Sequence, residues 1–237
     1  MSIFTKSVKT VKSSETLRSA IASGVHQIGE IEIRPFDSNG RFKLCHAADV
    51  GRLDGSGDDD LTIYDGPAGA RDIASEAADG SYRFLKAQGN LRRGWVMLLG
   101  SVEDLRLALD QFYPACVGLW LAEQDGTLEV EHLRDKLKRQ SGMYQRVRGL
   151  SDEALQQLVG QTCSGTVPCA RKLIWQLDAN TPLLPSAASH CSGMPTGAAA
   201  GEAIPLLCRE ACNHFVAECL AATKAAAAPA TEHSRLA

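Results

Sequence analysis

The chain lacks any apolar stretch approaching the roughly 18–20 residues that a membrane span needs. Its first residues, Met1-Ser2-Ile3-Phe4-Thr5-Lys6, also lack the apolar core of a secretory signal. These absences make a soluble, cytoplasmic protein without a membrane partner the expectation. There is no excess of basic charge either. A net charge of −3 and a pI of about 6.1 argue against a generic DNA-coating protein, so no nucleic-acid partner is expected. Aromatic residues are scarce at 5%, but 44% hydrophobic and 22% charged residues over 237 positions are ordinary globular proportions. They argue against wholesale disorder, collagen and a coiled-coil rod. No Walker or GxGxxG phosphate loop is present, nor a Ser–His–Asp pattern, nor the paired C-x2-C motifs of bacterial ferredoxins. Gly66-Pro67-Ala68-Gly69 reads as a turn rather than a phosphate cradle, and there is no internal repeat.

What the chain does have is eight cysteines, and they are unevenly placed. Cys45 and Cys116 fall in the first 160 residues; Cys163, Cys169, Cys191, Cys208, Cys212 and Cys219 crowd the C-terminal third. Without an export signal, metal or cluster ligation is a stronger reading than a disulfide framework.

Alternation of apolar and charged residues in Ile28–Arg34 marks a half-buried strand, and Ser38-Asn39-Gly40 turns the chain into a returning strand, Phe42–His46. Leu61–Tyr64 is a third candidate strand, and Ala68–Ala78 has helical composition. Trp95–Leu99 reads as a short apolar strand. Ser101 with Asp104 caps a helix that runs to about Tyr113, where Pro114 stops it. Ala115–Glu123 resumes as helix, Leu128–Val147 reads as one long helix or two, and Ala154–Gln161 leads to Cys163. Residues 179–203 read as a loop and Leu206–Lys224 as a helix. The expected fold class is therefore α+β: a small antiparallel sheet with a helix at the N-terminal end, followed by a mostly helical part. The expected domains are a small α+β domain over 1–80, a helical domain over 81–224 and a disordered tail over 225–237.

Cys163 and Cys169 form a C-x5-C pair whose Gly165 and Pro168 favour a curved loop. Cys208 and Cys212 form a C-x3-C pair; on a helix this spacing puts both side chains on one face. Four thiolates suit a [4Fe–4S] cluster. They also suit structural zinc, though zinc knuckles are usually tighter than C-x5-C. Unligated thiols are the third reading. Cys45 and Cys116 read as small buried residues, while Cys191 and Cys219 stay open. His214 points to another helix face than Cys212. Arg171, Lys172 and Arg209 stand beside the candidate ligands as stabilising cations or as solvated surface. Trp175 and Phe215 read as apolar shielding. The segment His132–Arg148 is locally basic. Arg134, Lys138, Arg139 and Arg146 could dock an acidic partner or a polyanion, or form a solvated helix face. Arg92-Arg93-Gly94 reads as a basic turn that anchors Trp95.

The C-x5-C and C-x3-C pairs resemble those of the sirohaem-dependent sulfite and nitrite reductases, which hold a [4Fe–4S] cluster. A broader resemblance covers most of residues 28–220. It rests on GEIEIR, SYRFLKAQGNLRRGW, YPACVGLWLAEQDGTLEVEHLRDKLKRQSGMY, CSGTVPCARKLIW and LLCREAC. In this order the segments resemble the C-terminal extension of long-form CbiX-type, sirohydrochlorin cobaltochelatase-like proteins. That extension is a stabilising domain followed by a [4Fe–4S]-binding domain. The resemblance implies that Cys163, Cys169, Cys208 and Cys212 are the cluster ligands. The chelatase domain has no counterpart in these 237 residues, so chelatase activity is not implied. The leading expectation is a non-catalytic [4Fe–4S] protein with a redox, electron-transfer or sensing role. Its partner would be a separate chelatase of cobalamin or sirohaem biosynthesis, or a redox partner. The alternatives are an enzyme that binds an anionic tetrapyrrole beside the cluster, and a four-cysteine zinc scaffold.

Overall fold

The alternation at Ile28–Arg34 builds two strands, because Gly29 breaks it. The computed structural model describes residues 14–38, 40–53, 61–86, 88–135, 147, 149–163, 169, 171–178, 180 and 201–227. They divide into two units. The first comprises Met1–Glu129, Cys169–Lys172 and Cys191–Cys208; the second comprises Val130–Pro168, Leu173–His190 and Arg209–Ala237.

In the first unit, β1 (Gln27–Ile28) turns through Gly29 and Glu30 into β2 (Ile31–Pro35), with Ile28 opposite Ile31. Gly29 adopts φ +53°, and a Cβ there would lie 2.5 Å from the Tyr113 ring. The position therefore needs glycine on two counts. β2 pairs antiparallel with β3 (Phe42–His46), from Ile31 opposite His46 to Pro35 opposite Phe42, as the hairpin expectation has it. β3 also pairs antiparallel with β5 (Trp95–Leu99).

Two other strands take edge places that local pattern does not name, although Leu61–Tyr64 itself reads as a strand. β4 (Thr62–Asp65) runs parallel to β5 at one edge, and β7 (Ala203–Ile204) runs parallel to β1 at the other. The sheet order is β4-β5-β3-β2-β1-β7. The α+β class holds, but the sheet is mixed rather than wholly antiparallel. It extends past residue 80, since β5 lies between β3 and β4. The loop expected over 179–203 ends in β7; residues 181–200 and the tail 228–237 lie outside the described residues.

A helix over 14–22, α1, buries Leu17 and Ile21 against the same core. α2 (Ala70–Ser75) packs on α3 (Val102–Phe112). The Ser101 hydroxyl accepts from Asp104 N–H and so caps α3, as read from the sequence. α3 buries Val102, Leu105, Ala108, Leu109 and Phe112, the spacing of one helical face. Ala115, at φ 65°, sets the chain into α4 (Cys116–Gln124). Trp95 stacks on Phe112 at 5.2 Å, and its indole N–H donates to Arg92 O, which is the anchoring role expected of the basic turn.

Buried polar contacts lock one end of this unit. The Glu30 carboxylate accepts from Leu91 N–H at 3.0 Å, Arg83 Nη2 at 3.4 Å and His46 Nε2 at 3.3 Å. His46 Nδ1 accepts from Ala48 N–H, which places the ring proton on Nε2. The Tyr113 hydroxyl accepts from Glu30 N–H, and burial pushes this phenol up to about 12.

The second unit holds α5 (Asp152–Cys163) packed on α6 (Asn213–Ala227). Trp175 and Phe215 are buried together with ring centroids 5.8 Å apart. The helix expected over Leu128–Val147, as one piece or two, does not begin at Leu128, and residues 136–146 lie outside the described residues. Residues 127–131 are not helical: Glu131 O accepts from Gln176 N–H, and Leu133 N–H donates to Gln176 O. A helical turn begins only at Leu133.

Candidate metal centre

Burial sorts the seven described cysteines into two kinds. Cys45, Cys116 and Cys219 are buried; Cys163, Cys169 and Cys208 are half-buried and Cys212 is exposed, and all seven are thiols rather than disulfides. Burial pushes the Cys45 and Cys219 thiols up to about 12 and also raises that of Cys116. A metal ligand must be a thiolate, so sulfurs held protonated in the core are poor candidates. The four cysteines that reach the surface are the four that the spacing singled out. Cys191 lies outside the described residues.

The first unit carries Cys169 and Cys208. Lys172 N–H, in the two-residue strand β6 (Lys172–Leu173), donates to Leu206 O at 2.7 Å, laying the stretch after Cys169 beside the stretch before Cys208. The Leu207 carbonyl accepts from Arg171 Nη1 at 3.4 Å and faces the Cys116 thiol at 4.0 Å. Cys116 beside this pair escaped the sequence reading, since nothing in its local pattern marks it. The Arg171 charge opposes the upward push of burial on that thiol, while Asp110 and Cys169 add to it.

Cys208 ends the short strand β8 (Leu207–Cys208), not the first turn of a helix. The reading of Leu206–Lys224 as a single helix, with Cys208 and Cys212 on one face, is corrected here. Ile204, Leu206 and Leu207 are all buried in this unit. Burial of each such side chain contributes about 1.5–3 kcal/mol. Helix propensity in the following residues differs by at most about 0.7 kcal/mol each, so packing decides.

The second unit carries Cys163 and Cys212. Cys163 is the last residue of α5. Cys212 stands immediately before α6: Phe215 N–H donates to its Sγ at 3.4 Å, and Val216 N–H donates to its carbonyl. The sulfur occupies the place of an N-cap oxygen. Cys219 faces the core of the same helix. His214 Nδ1 lies 4.0 Å from Glu218 Oε1.

The neighbouring cations differ in their attachments. Arg209 pairs with Glu131 at 3.1 Å, which offsets its charge. Arg134 donates to Leu150 O at 2.8 Å and to Asp152 at 2.5 Å, and so ties down the start of α5. Lys138, Arg139 and Arg146 lie outside the described residues.

Of the four cysteines, Cys169 and Cys208 thus belong to the first unit and Cys163 and Cys212 to the second. Among the described residues, no group of three or more His, Cys, Asp or Glu side chains is gathered to hold a metal ion. The donor chemistry fits an iron–sulfur cluster, which takes four cysteine thiolates. One further observation agrees with an added acceptor in the second unit: the buried Trp175 Nε1–H has no hydrogen-bond partner among the described residues. Among the described residues no helix is long and apolar enough to cross a membrane.

Residues 125–220 match the family described as a 4Fe-4S iron-sulfur cluster binding domain, and residues 13–124 match the DR2241 stabilising domain. The crystal structure of DR2241 from Deinococcus radiodurans is similar, with a TM-score of 0.68 at 26% identity. That protein is described as multi-domain, with structural similarity to chelatases and with two additional novel domains. The match covers 91% of this chain and 41% of that one, so the chain spans less than half of the relative. No curated protein matches. The resemblance to the CbiX-type extension is accordingly upheld: the chain is similar to a DR2241 stabilising domain over residues 13–124 and to a 4Fe-4S cluster-binding domain over residues 125–220.

Proposed function

We propose that Cys163, Cys169, Cys208 and Cys212 hold a [4Fe–4S] cluster and that the chain serves a tetrapyrrole chelatase in the cytoplasm as an electron-transfer or sensing partner. The observation that carries the ligand set is the division of the cysteines. These four reach the surface, whereas Cys45, Cys116 and Cys219 are buried. The capping of Cys212 by Phe215 N–H supports it further. Four cysteine ligands satisfy a cubane's irons, which favours electron transfer, sensing or structure over substrate chemistry. A chelatase as the partner is supported by the chelatase likeness of DR2241.

Docking is assigned to the basic segment around Lys138, Arg139 and Arg146. A chain carrying Arg139→Glu and Arg146→Glu is expected to bind its partner chelatase more weakly, with iron content unchanged. Loss of iron in that variant would assign the segment to cluster assembly instead. A purified chain that takes up sirohydrochlorin and shows a Soret-type band would favour the tetrapyrrole-binding enzyme.

A further inference from the structure

Trp175 and Phe215 lie side by side in the core of the second unit, with Trp175 only 3% exposed. The two differ in one respect: the indole carries a donor. Trp95, also buried, gives its indole N–H to Arg92 O at 2.7 Å. Trp175 Nε1 is also enclosed and reaches no acceptor among the described residues. An unpaired buried N–H costs about 1–3 kcal/mol. A phenylalanine at this place would bury a ring without that cost.

The place of this donor matters. The indole packs against Phe215, in the first turn of α6, whose own backbone N–H donates to the Cys212 sulfur at 3.4 Å. Trp175 therefore sits one ring away from a candidate cluster ligand. We propose that Trp175 is a positioning residue of the iron–sulfur centre, its Nε1–H donating to a sulfur of the cluster or of Cys212 when the cluster is bound. This inference rests on the cluster reading above. Sulfur in an iron–sulfur centre accepts hydrogen bonds, and each bond stabilises the more negative, reduced form. Such bonds raise the reduction potential.

The test compares Trp175→Phe, which keeps an aromatic ring and removes the N–H, with Phe215→Leu, which loosens the same packing and removes no donor. The full chain is loaded anaerobically with iron and sulfide, and its potential is followed by redox titration. Trp175→Phe is expected to load as much iron as wild type. At a fixed potential its oxidised-to-reduced ratio should rise up to about tenfold, about 59 mV for one electron. Phe215→Leu is expected to lower thermal stability and leave the potential in place.

A Trp175→Phe potential equal to wild type overturns the inference, as does an equal shift in Phe215→Leu, which would assign the effect to solvent entry. If Trp175→Phe does not fold, the 15N-labelled wild-type chain decides. A contact shift of the Trp175 indole proton on cluster loading supports the hydrogen bond, and an unmoved resonance overturns it. A wild-type chain that takes up no iron and sulfide overturns the cluster reading along with this one. A loaded wild type with an unmoved variant overturns this one alone.

Discussion

Single residues in this chain divide by how burial treats their chemistry. Cys45 and Cys219 keep their protons up to about 12 in the fold, against 9.0 when exposed. Between those values the unfolded chain releases protons that the folded chain retains. Stability is therefore fully present below about pH 9 and falls as pH rises towards 12. In native chain without its cluster at pH 8, alkylation mapped by mass spectrometry is expected to modify Cys163, Cys169, Cys208 and Cys212 and to spare Cys45, Cys116 and Cys219 until denaturant is added. Rapid native labelling of Cys219 would contradict this. Gly29 is a second residue-scale case. Its positive φ and its contact with Tyr113 leave no room for a methyl group. Gly29→Ala is expected to cost at least about 2 kcal/mol in denaturant unfolding, and a neutral result would show that Tyr113 moves aside freely.

At the scale of elements, what could be read from the sequence was what local chemistry encodes. The β2–β3 hairpin, β5 and the Ser101 cap all carry their own signals: alternation, an apolar run and a hydroxyl three residues before a backbone donor. Ser101→Ala is expected to cost about 1 kcal/mol by thermal or denaturant unfolding, because Asp104 N–H loses its acceptor at the start of α3. An unchanged stability would mean that water replaces the cap without loss.

The elements that misled are those decided by a distant partner. Leu207–Cys208 has helix-compatible composition but forms a strand, because its apolar neighbours are buried in the first unit. Residues 128–131 read as the start of a helix but form none, with the Glu131 carbonyl accepting from Gln176 N–H. β4 was legible as a strand; its place beside β5 rather than β3 was not, since nothing in Thr62–Asp65 names its neighbour.

At the scale of the molecule, the cysteine spacing identified the candidate ligands but not the arrangement that presents them. Two lie on the sheet-bearing unit and two on the helical one, and each pair belongs to chain segments far apart in sequence. A cluster held by these four cysteines would contribute folding free energy. Cys212→Ala is expected to lower iron content and to reduce the protection of α6 in hydrogen exchange, while leaving the protection of β2, β3 and β5 close to wild type. Equal loss across all of these elements would show that the sheet-bearing unit also depends on the cluster.

The measurement that bears most directly on the whole account is metal and sulfide analysis of the chain purified without oxygen. About four irons and four sulfides per chain are expected, falling sharply on substitution of any one of Cys163, Cys169, Cys208 and Cys212 and unchanged in Cys219→Ala. A single zinc with no sulfide, or iron that persists when those cysteines are replaced, would contradict it.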